Sequence, residues 1–191
     1  IVGLGGAAFP TAVKVNTSGL NPIETLIING AECEPYISCD DRLMRERAQD
    51  IVDGIGILMH LVGAGECLIG IEDNKPEAAE SLREAIAAHE SVEAEVVVVP
   101  SVYPSGGEKQ LIKLLTGREV PSNGLPASIG VICQNVATAA AVADAVLRGR
   151  PLIDRVVTAT GHGVRQPGNF RVLIGTPAAD VIAAAGGYFG V

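Results

Sequence analysis

Gly106 and Gly107, flanked by Tyr103 and Glu108 in the stretch YPSGGEKQL (103–111), form a group that a packed core does not require. Two adjacent glycines let a flat ring or a phosphate approach the backbone, and a neighbouring tyrosine can cover a ring face. A hairpin-like turn accounts for the same residues more simply. VGLGGAAFPT (2–11) raises a similar choice. Gly3, Gly5 and Gly6 allow close backbone approach, Pro10 can occupy the first turn of a helix beginning near Phe9, and Lys14 adds a full positive charge. Together they can bind an anion on backbone N–H groups, or they can be a tight turn that needs glycine. The spacing Gly3-x-Gly5-x-x-Ala8 matches a dinucleotide fingerprint only loosely, because almost no strand precedes it.

Two further stretches leave predicted strands. INGAECEPYISCDDRLM (28–44) places Asn29, Glu32 and Glu34 just past a strand end, where carboxylates can accept ribose hydroxyls or amide hydrogens. The dull alternative has Asn29 turning the chain and Asp40 and Asp41 favouring a helix start. CQNVAT (133–138) ends another strand with Gln134 and Asn135, whose amides suit phosphate oxygens or ring edges, and Asn135 is equally a helix cap. Each stretch has its own structural explanation. A nucleotide-type site explains the four together.

Such a site needs a sheet whose strand exits share one edge. Apolar runs at 25–29, 67–73, 93–100 and 129–135 read as strands, and 40–62, 76–88 and 136–148 as helices, with a further helix beginning near Glu108. The alternation predicts an α/β fold: a Rossmann-like parallel sheet with helices on both faces, over residues 1–152. LRGRPLI links it to a second pattern, two β-branched runs around a polar turn region and a short Ala-rich helix, assigned to residues 153–191.

Composition narrows the partners. The 191 residues are 48% hydrophobic and 19% charged, with a net charge of −8, so a core can form and no basic tract exists to track nucleic acid. The longest apolar run, IGILMHLVGAG, is too short and glycine-interrupted to span a bilayer, so any membrane attachment is expected through other chains. Cys33, Cys39, Cys67 and Cys133 show no CxxC spacing, so no metal site is expected from them alone, and a reduced setting fits. The chain opens inside a glycine-rich loop without an initiator Met and reads as a fragment of a longer protein.

GLGGAAFPTAVK, INGAECEPYISCDDRLM, LIGIEDNKP, YPSGGEKQL and IGVICQNVATAAAV resemble the C subunit of the Rnf electron-transport complex, in order and over nearly the whole chain. More distantly the same loops resemble the flavin-bearing NADH-oxidising subunit of respiratory complex I. The tail, VVTATGHGVRQPGNFRVLIGTPAADVIAAAGG, looks like the start of a small β-grasp ligand-binding segment. The resemblance implies an oxidoreductase subunit that holds FMN, admits NAD(H) beside it, and passes electrons to [4Fe–4S] clusters outside this stretch. Gly3, Gly5, Gly6 and Lys14 would cradle the FMN phosphate and ribityl chain. Asn29, Glu32, Tyr103, Gly106, Gly107, Gln134, Asn135 and Thr138 would complete the flavin site, and Phe9, Glu34 and Glu108 would face the nicotinamide nucleotide. No general acid or base is needed, so His60, His89 and His162 are expected at the surface or in packing, and Cys33 as a small buried residue.

Several positions depart from the complex I pattern. Ala31 stands where that pattern is acidic, Gly107 where it has glutamate and Ala8 where it often has glycine; with three Phe and no Trp, the aromatics that sandwich NADH there lack counterparts. The implied setting is the cytoplasmic face of a bacterial inner membrane, peripheral, beside the other Rnf subunits, with ferredoxin an indirect partner and the fragment inactive alone. Two relatives share parts of the pattern. The cobalamin reductase of bacterial microcompartments has the glycine loop and NGAECEP. The A subunit of the sodium-pumping NADH:quinone oxidoreductase has a similar fold but serves as a scaffold without this flavin, and would have no use for the glycine loop and Lys14.

Overall fold

A computed structural model describes residues 1–16 and 21–190. Four parallel strands form the main sheet: β1 (Thr25–Gly30), β2 (Glu66–Glu72), β3 (Glu95–Val99) and β4 (Val131–Asn135), in the spatial order β3-β2-β1-β4. Chain order and spatial order differ because β4 returns to the far side of β1, so β1 separates two halves of the sheet. Asn29 of β1 lies level with Gly70 of β2 and Asn135 of β4, which brings three strand exits to one edge.

Both faces are covered, unequally. On one, α2 (Cys39–Glu46), α3 (Ala48–Val62), α4 (Pro76–Ala88) and α6 (Val136–Arg148) bury Leu26, Ile28, Ile69, Ile71 and Ile132 under Met44, Ile51, Ile55, Leu58 and Leu82. On the other, α5 (Glu108–Thr116) packs Leu111 and Ile112 on Ile27, Leu68, Val99 and Val131. Apolar side chains alternate between the two faces along β1, and both faces are dry, so the strand reads as one continuous hydrophobic run. A Cβ at Gly54 of α3 would run into the Ala139 carbonyl of α6, so glycine sets how closely those two helices approach.

The predicted helix over 40–62 is in fact two. The chain breaks at Arg47, which closes α2 through an N–H···O=C bond to Leu43 (2.8 Å) and leaves helical geometry. Its guanidinium pairs with Asp50 at 2.6 Å and with Asp144 of α6 at 2.8 Å. The hydrophobic spacing runs on through the break, so the local pattern carries no sign of it. The first helix, α1 (Thr11–Val15), begins two residues later than the sequence suggests, with Pro10 just ahead of it. The strand predicted over 129–135 starts at Val131, after a 3-10 turn over Pro126–Ile129 that Gly130 closes at φ +72°.

The predicted hairpin forms from β5 (Asp154–Ala159) and β6 (Gly168–Leu173), antiparallel, followed by α7 (Ala178–Ala184). Its own core is small: Ala159, Val164 and Ala185, flanked by Phe170, Val181 and Ile182. Polar bonds tie it to the larger unit. Thr158 Oγ1 accepts from the Ser38 N–H (3.1 Å), Asn169 Nδ2 donates to the Ser38 carbonyl (3.1 Å), and Arg155 Nη2 donates to the Leu4 carbonyl (3.3 Å). Among the described residues, no helix is long and apolar enough to cross a membrane.

Candidate functional site

The first loop folds back on itself before α1. Gly3 N–H donates to the Phe9 carbonyl (2.8 Å), Thr11 N–H donates to that of Ile1 (3.1 Å), and Val2 bridges Pro10. Buried Thr138, in the first turn of α6, accepts the Leu4 N–H through Oγ1 (2.9 Å) and fixes the loop over the exit of β4. A Cβ at Gly5 would stand 3.2 Å from the Asn135 Cβ, so the glycine allows the loop to lie against that exit. Ala8 holds φ +50°, a left-handed conformation that glycine adopts without strain.

Asn29 fastens the second wall. Its Oδ1 accepts from the Ala31 N–H (3.0 Å) and its Nδ2 donates to the Gly106 carbonyl (2.8 Å), so the exit of β1 grips the glycine pair. At Gly106 a side chain would meet Cys33 Sγ at 2.9 Å and lie closer still to the Ala31 carbonyl oxygen. These loops therefore touch backbone to backbone.

The result is a cavity of about 610 Å³ at the carboxyl ends of β1 and β4, within the range of roughly 300–1,000 Å³ usual for small-molecule sites. Of the residues singled out from sequence, Gly3, Gly5, Phe9, Lys14, Asn29, Glu34, Tyr103, Gly106, Gly107, Glu108, Gln134, Asn135 and Thr138 all line it. Gly6 and Glu32 do not. Gly6 is exposed at φ +105° with open space beside it. Glu32 is buried and faces away: its carboxylate accepts the N–H groups of Asp40 (2.9 Å) and Asp41 (3.2 Å), supplying α2 with the side-chain cap its own first residues lack.

Gln134 and Lys14 stand out in the lining, the first as a donor and the second as a cation. Gln134 is buried, yet among the described residues its Nε2 has no hydrogen-bond partner. A buried amide left unpaired costs on the order of 1–3 kcal/mol, which a ligand acceptor would recover. Lys14 Nζ reaches across to Glu108 Oε1 at 2.6 Å, joining α1 to the start of α5 with both side chains partly exposed. Asn135 serves twice. It caps α6, its Oδ1 accepting from the Ala137 N–H (2.9 Å), and its Nδ2 donates to Asp40 at 2.6 Å. Asn135 is thus a helix cap that also lines the cavity, and its amide, engaged at both ends, has less to offer a ligand than that of Gln134. Phe9, Tyr103 and Glu34 stand exposed at the rim.

Two features escaped the sequence. Cys33, expected to be buried, is half-exposed and lines the cavity against Gly106. The segment Leu125–Ala127 forms part of the wall, with Leu125 72% exposed. A leucine before proline in NGLPAS was the available signal, but it reads as a loop unless the partner wall is known.

Behind the site, Glu32, Cys39 and Asp40 cluster at the start of α2. Burial pushes the Asp40 carboxyl up to about 6 against the Asn135 hydrogen bond, and burial beside Asp40 and Glu32 pushes the Cys39 thiol up to about 12.

A family model described as the Nuo51 FMN-binding domain matches residues 1–144, and one described as the SLBB domain matches residues 156–189. Three related proteins are each named as the C subunit of an ion-translocating oxidoreductase complex. That of Rhodobacter capsulatus is 53% identical over 188 residues, which is 98% of this chain and 36% of the relative. Those of Pseudomonas aeruginosa and Edwardsiella ictaluri are 55% and 56% identical over 186 residues, 97% of this chain and 24% and 23% of theirs. The chain thus spans between about a quarter and about a third of these relatives. Among solved structures, a chain of the NAD+-reducing [NiFe]-hydrogenase in its H2-reduced state superposes with a TM-score of 0.82 at 25% identity, covering 97% of this chain and 37% of that one.

Proposed function

The chain belongs to the family of the Nuo51 FMN-binding domain, and from that premise we propose that it holds FMN in the cavity at the β1 and β4 exits and admits NAD(H) at its rim. It would do so as the electron-transfer part of a peripheral subunit in an ion-translocating oxidoreductase, beside the other subunits of that complex. The observation that carries the reading is the convergence in one cavity of a glycine loop, a lysine and an unpartnered buried amide. Each suits a different part of one ligand.

The donor set fits FMN. The glycine loop from Gly5 on, past the Gly3 and Leu4 N–H groups that Phe9 and Thr138 already take, suits a phosphate with Lys14, since an ammonium beside exposed backbone is a ready anion site. Gln134 Nε2 can donate to a ring acceptor at the buried end, and Gly106 and Gly107 leave the wall without side chains where a flat ring would lie. Tyr103 can cover an outer ring face. Phe9, Glu34 and Glu108, at the mouth, are placed to meet a second nucleotide. What FMN supplies when bound is the interconversion of hydride and single-electron transfer. The chain's own residues bind, orient and shield, and none has to take a proton. Residues 1–152 would form the flavin unit and residues 153–191 the start of a β-grasp segment that buttresses it through Arg155, Thr158 and Asn169. The [4Fe–4S] clusters that would take the electrons belong outside this stretch.

An FMN titration followed by quenching of flavin fluorescence tests the reading, with riboflavin and Lys14→Ala beside it. Saturable micromolar binding is expected, and Lys14→Ala should weaken FMN by roughly tenfold to a hundredfold, the value of a charge-assisted hydrogen bond. Riboflavin, lacking the phosphate, should bind both forms alike. Failure of the full-length polypeptide to bind FMN would refute the proposal and leave a scaffold role, as in a relative without this flavin.

A further inference from the structure

LIGIEDNKP (68–76) carries the resemblance without contributing to the cavity wall, and the structure gives its polar residues another task. Glu72 ends β2 almost fully buried, 3% exposed, and Lys75 behind it is 10% exposed at the side chain. The Lys75 ammonium directs all three of its donors to protein oxygens: Glu72 Oε2 at 2.6 Å, Asn74 Oδ1 at 3.1 Å and the Glu32 carbonyl at 3.4 Å. The other carboxylate oxygen of Glu72 accepts from Ser105 Oγ at 3.4 Å. One residue on, Asp73 Oδ1 takes both the N–H (3.1 Å) and the hydroxyl (2.5 Å) of Ser101.

These bonds fall at chosen places. Ser101 and Ser105 bracket Tyr103, and Ser105 lies between Pro104 and Gly106, both of which line the cavity. Glu32 immediately precedes Cys33 and Glu34, which line it as well. The exit of β2 thus holds the loop from β3 at both ends and the loop from β1 at its first turn. Burying a lysine–glutamate pair is an expensive way to gain stability alone, since well-packed apolar residues of similar size often serve as well. A buried pair with every donor satisfied does fix geometry.

We infer that Glu72, Asp73 and Lys75 are positioning residues, a charged clamp that sets the loop 101–107 and the turn at Glu32 at the spacing the flavin ring requires. The inference rests on the proposed flavin site. Its consequence is specific: the clamp bonds to Ser101, Ser105 and the Glu32 carbonyl, and among the described residues it makes no bond to the glycine loop or to Lys14, which touches the far end of the clamped loop only through Glu108.

Glu72→Gln and, separately, Asp73→Ala are made in the full-length polypeptide, freed of flavin, and titrated with FMN and with riboflavin, with thermal unfolding of the flavin-free protein alongside. The clamp predicts that both variants lose affinity for both flavins by about fivefold to tenfold, the scale of one ordinary net hydrogen bond, and that quenching of the bound flavin changes. Asp73 and Ser101 are exposed, so Asp73→Ala should leave the unfolding midpoint in place, and Asp73→Asn, which keeps an acceptor for Ser101, should restore most of the affinity. Unchanged affinity in both variants overturns the clamp. So does a loss confined to FMN, which would place the effect at the phosphate, or a loss that appears only in Glu72→Gln and only with a lowered midpoint. A parent that binds neither flavin overturns the proposed function itself, and this inference with it.

Discussion

Replacing Gly106 by alanine adds a methyl group at the point where two site loops touch. That methyl would lie 2.9 Å from Cys33 Sγ and nearer to the Ala31 carbonyl, against an ordinary contact distance of 3.4 Å or more. Backbone cannot swing aside as a side chain can, so the loop must withdraw by something on the order of 1 Å. Overpacking of this kind costs about 1–3 kcal/mol, and the Asn29 Nδ2–Gly106 carbonyl bond, at 2.8 Å, adds about 1 kcal/mol if it breaks. A destabilisation of about 2–4 kcal/mol follows, or a fall in melting temperature of roughly 5–15 °C for a chain of this size. If the loop yields instead of the fold, about 2 kcal/mol is lost from the bound geometry, roughly thirtyfold in the FMN dissociation constant. Gly107→Ala is the control. Its methyl would meet Gln110 Oε1 at 2.5 Å, the far end of a flexible side chain, and the Pro104 carbonyl oxygen only at 3.1 Å, which needs a shift of a few tenths of an ångström, and its φ of −62° suits any residue. The ligand-free melt of Gly107→Ala should fall by far less than that of Gly106→Ala, and a weakening of FMN beyond that fall would come from contact with the ligand itself. A Gly106→Ala protein with parental melt and parental FMN affinity would refute the packing of these loops.

Two other substitutions test the surroundings. Ala8→Gly should relieve the left-handed strain at φ +50°, raising stability by up to about 1 kcal/mol, or about 2–4 °C in a thermal melt; a lowered midpoint would contradict that backbone. Asp40→Asn should show a pH-dependent gain. Folding raises the Asp40 carboxyl from 3.8 to about 6, so the native state holds the proton more tightly than the unfolded chain. Stability from this group is greatest below about pH 4, falls through the window to about 6, and above it the buried charge costs about 3 kcal/mol at most. Cys39, Glu32, Glu34, Asn135 and Arg155 all face this carboxyl. Asparagine can still accept from Asn135, so Asp40→Asn should be more stable than the parent at pH 7.5 by about 1–2 kcal/mol and equal to it at pH 4, read from urea unfolding at the two pH values.

The alternation of apolar runs with Ala-rich stretches sufficed to determine a parallel sheet covered on both faces, because strands such as TLIIN are apolar on nearly every residue and only a doubly covered sheet buries them. It also singled out residues that the structure gathers into one cavity: Gly3 and Gly106 in loops, and Asn29 and Gln134 near the ends of β1 and β4, which come together at one edge since these strands run parallel and in register. The tertiary structure decided the rest. Glu32 and Glu34 look equivalent in AECEP, yet one caps a helix behind the wall and the other faces the cavity, because the loop turns between them. The predicted helix over 40–62 breaks at Arg47, whose guanidinium holds both Asp50 nearby and Asp144, a partner 97 residues away. Glu72 and Asp73 end the run 67–73 that reads as a strand, with Lys75 just ahead of the helix over 76–88, and the bonds that make them the proposed clamp come only with the return of the chain through Ser101 and Ser105. Residue type and spacing reveal what a side chain can do, since hydrophobicity, capping and backbone freedom act over a few neighbours. Which way a polar group points is settled by hydrogen bonds to residues distant in sequence, and those exist only once the sheet has brought them together.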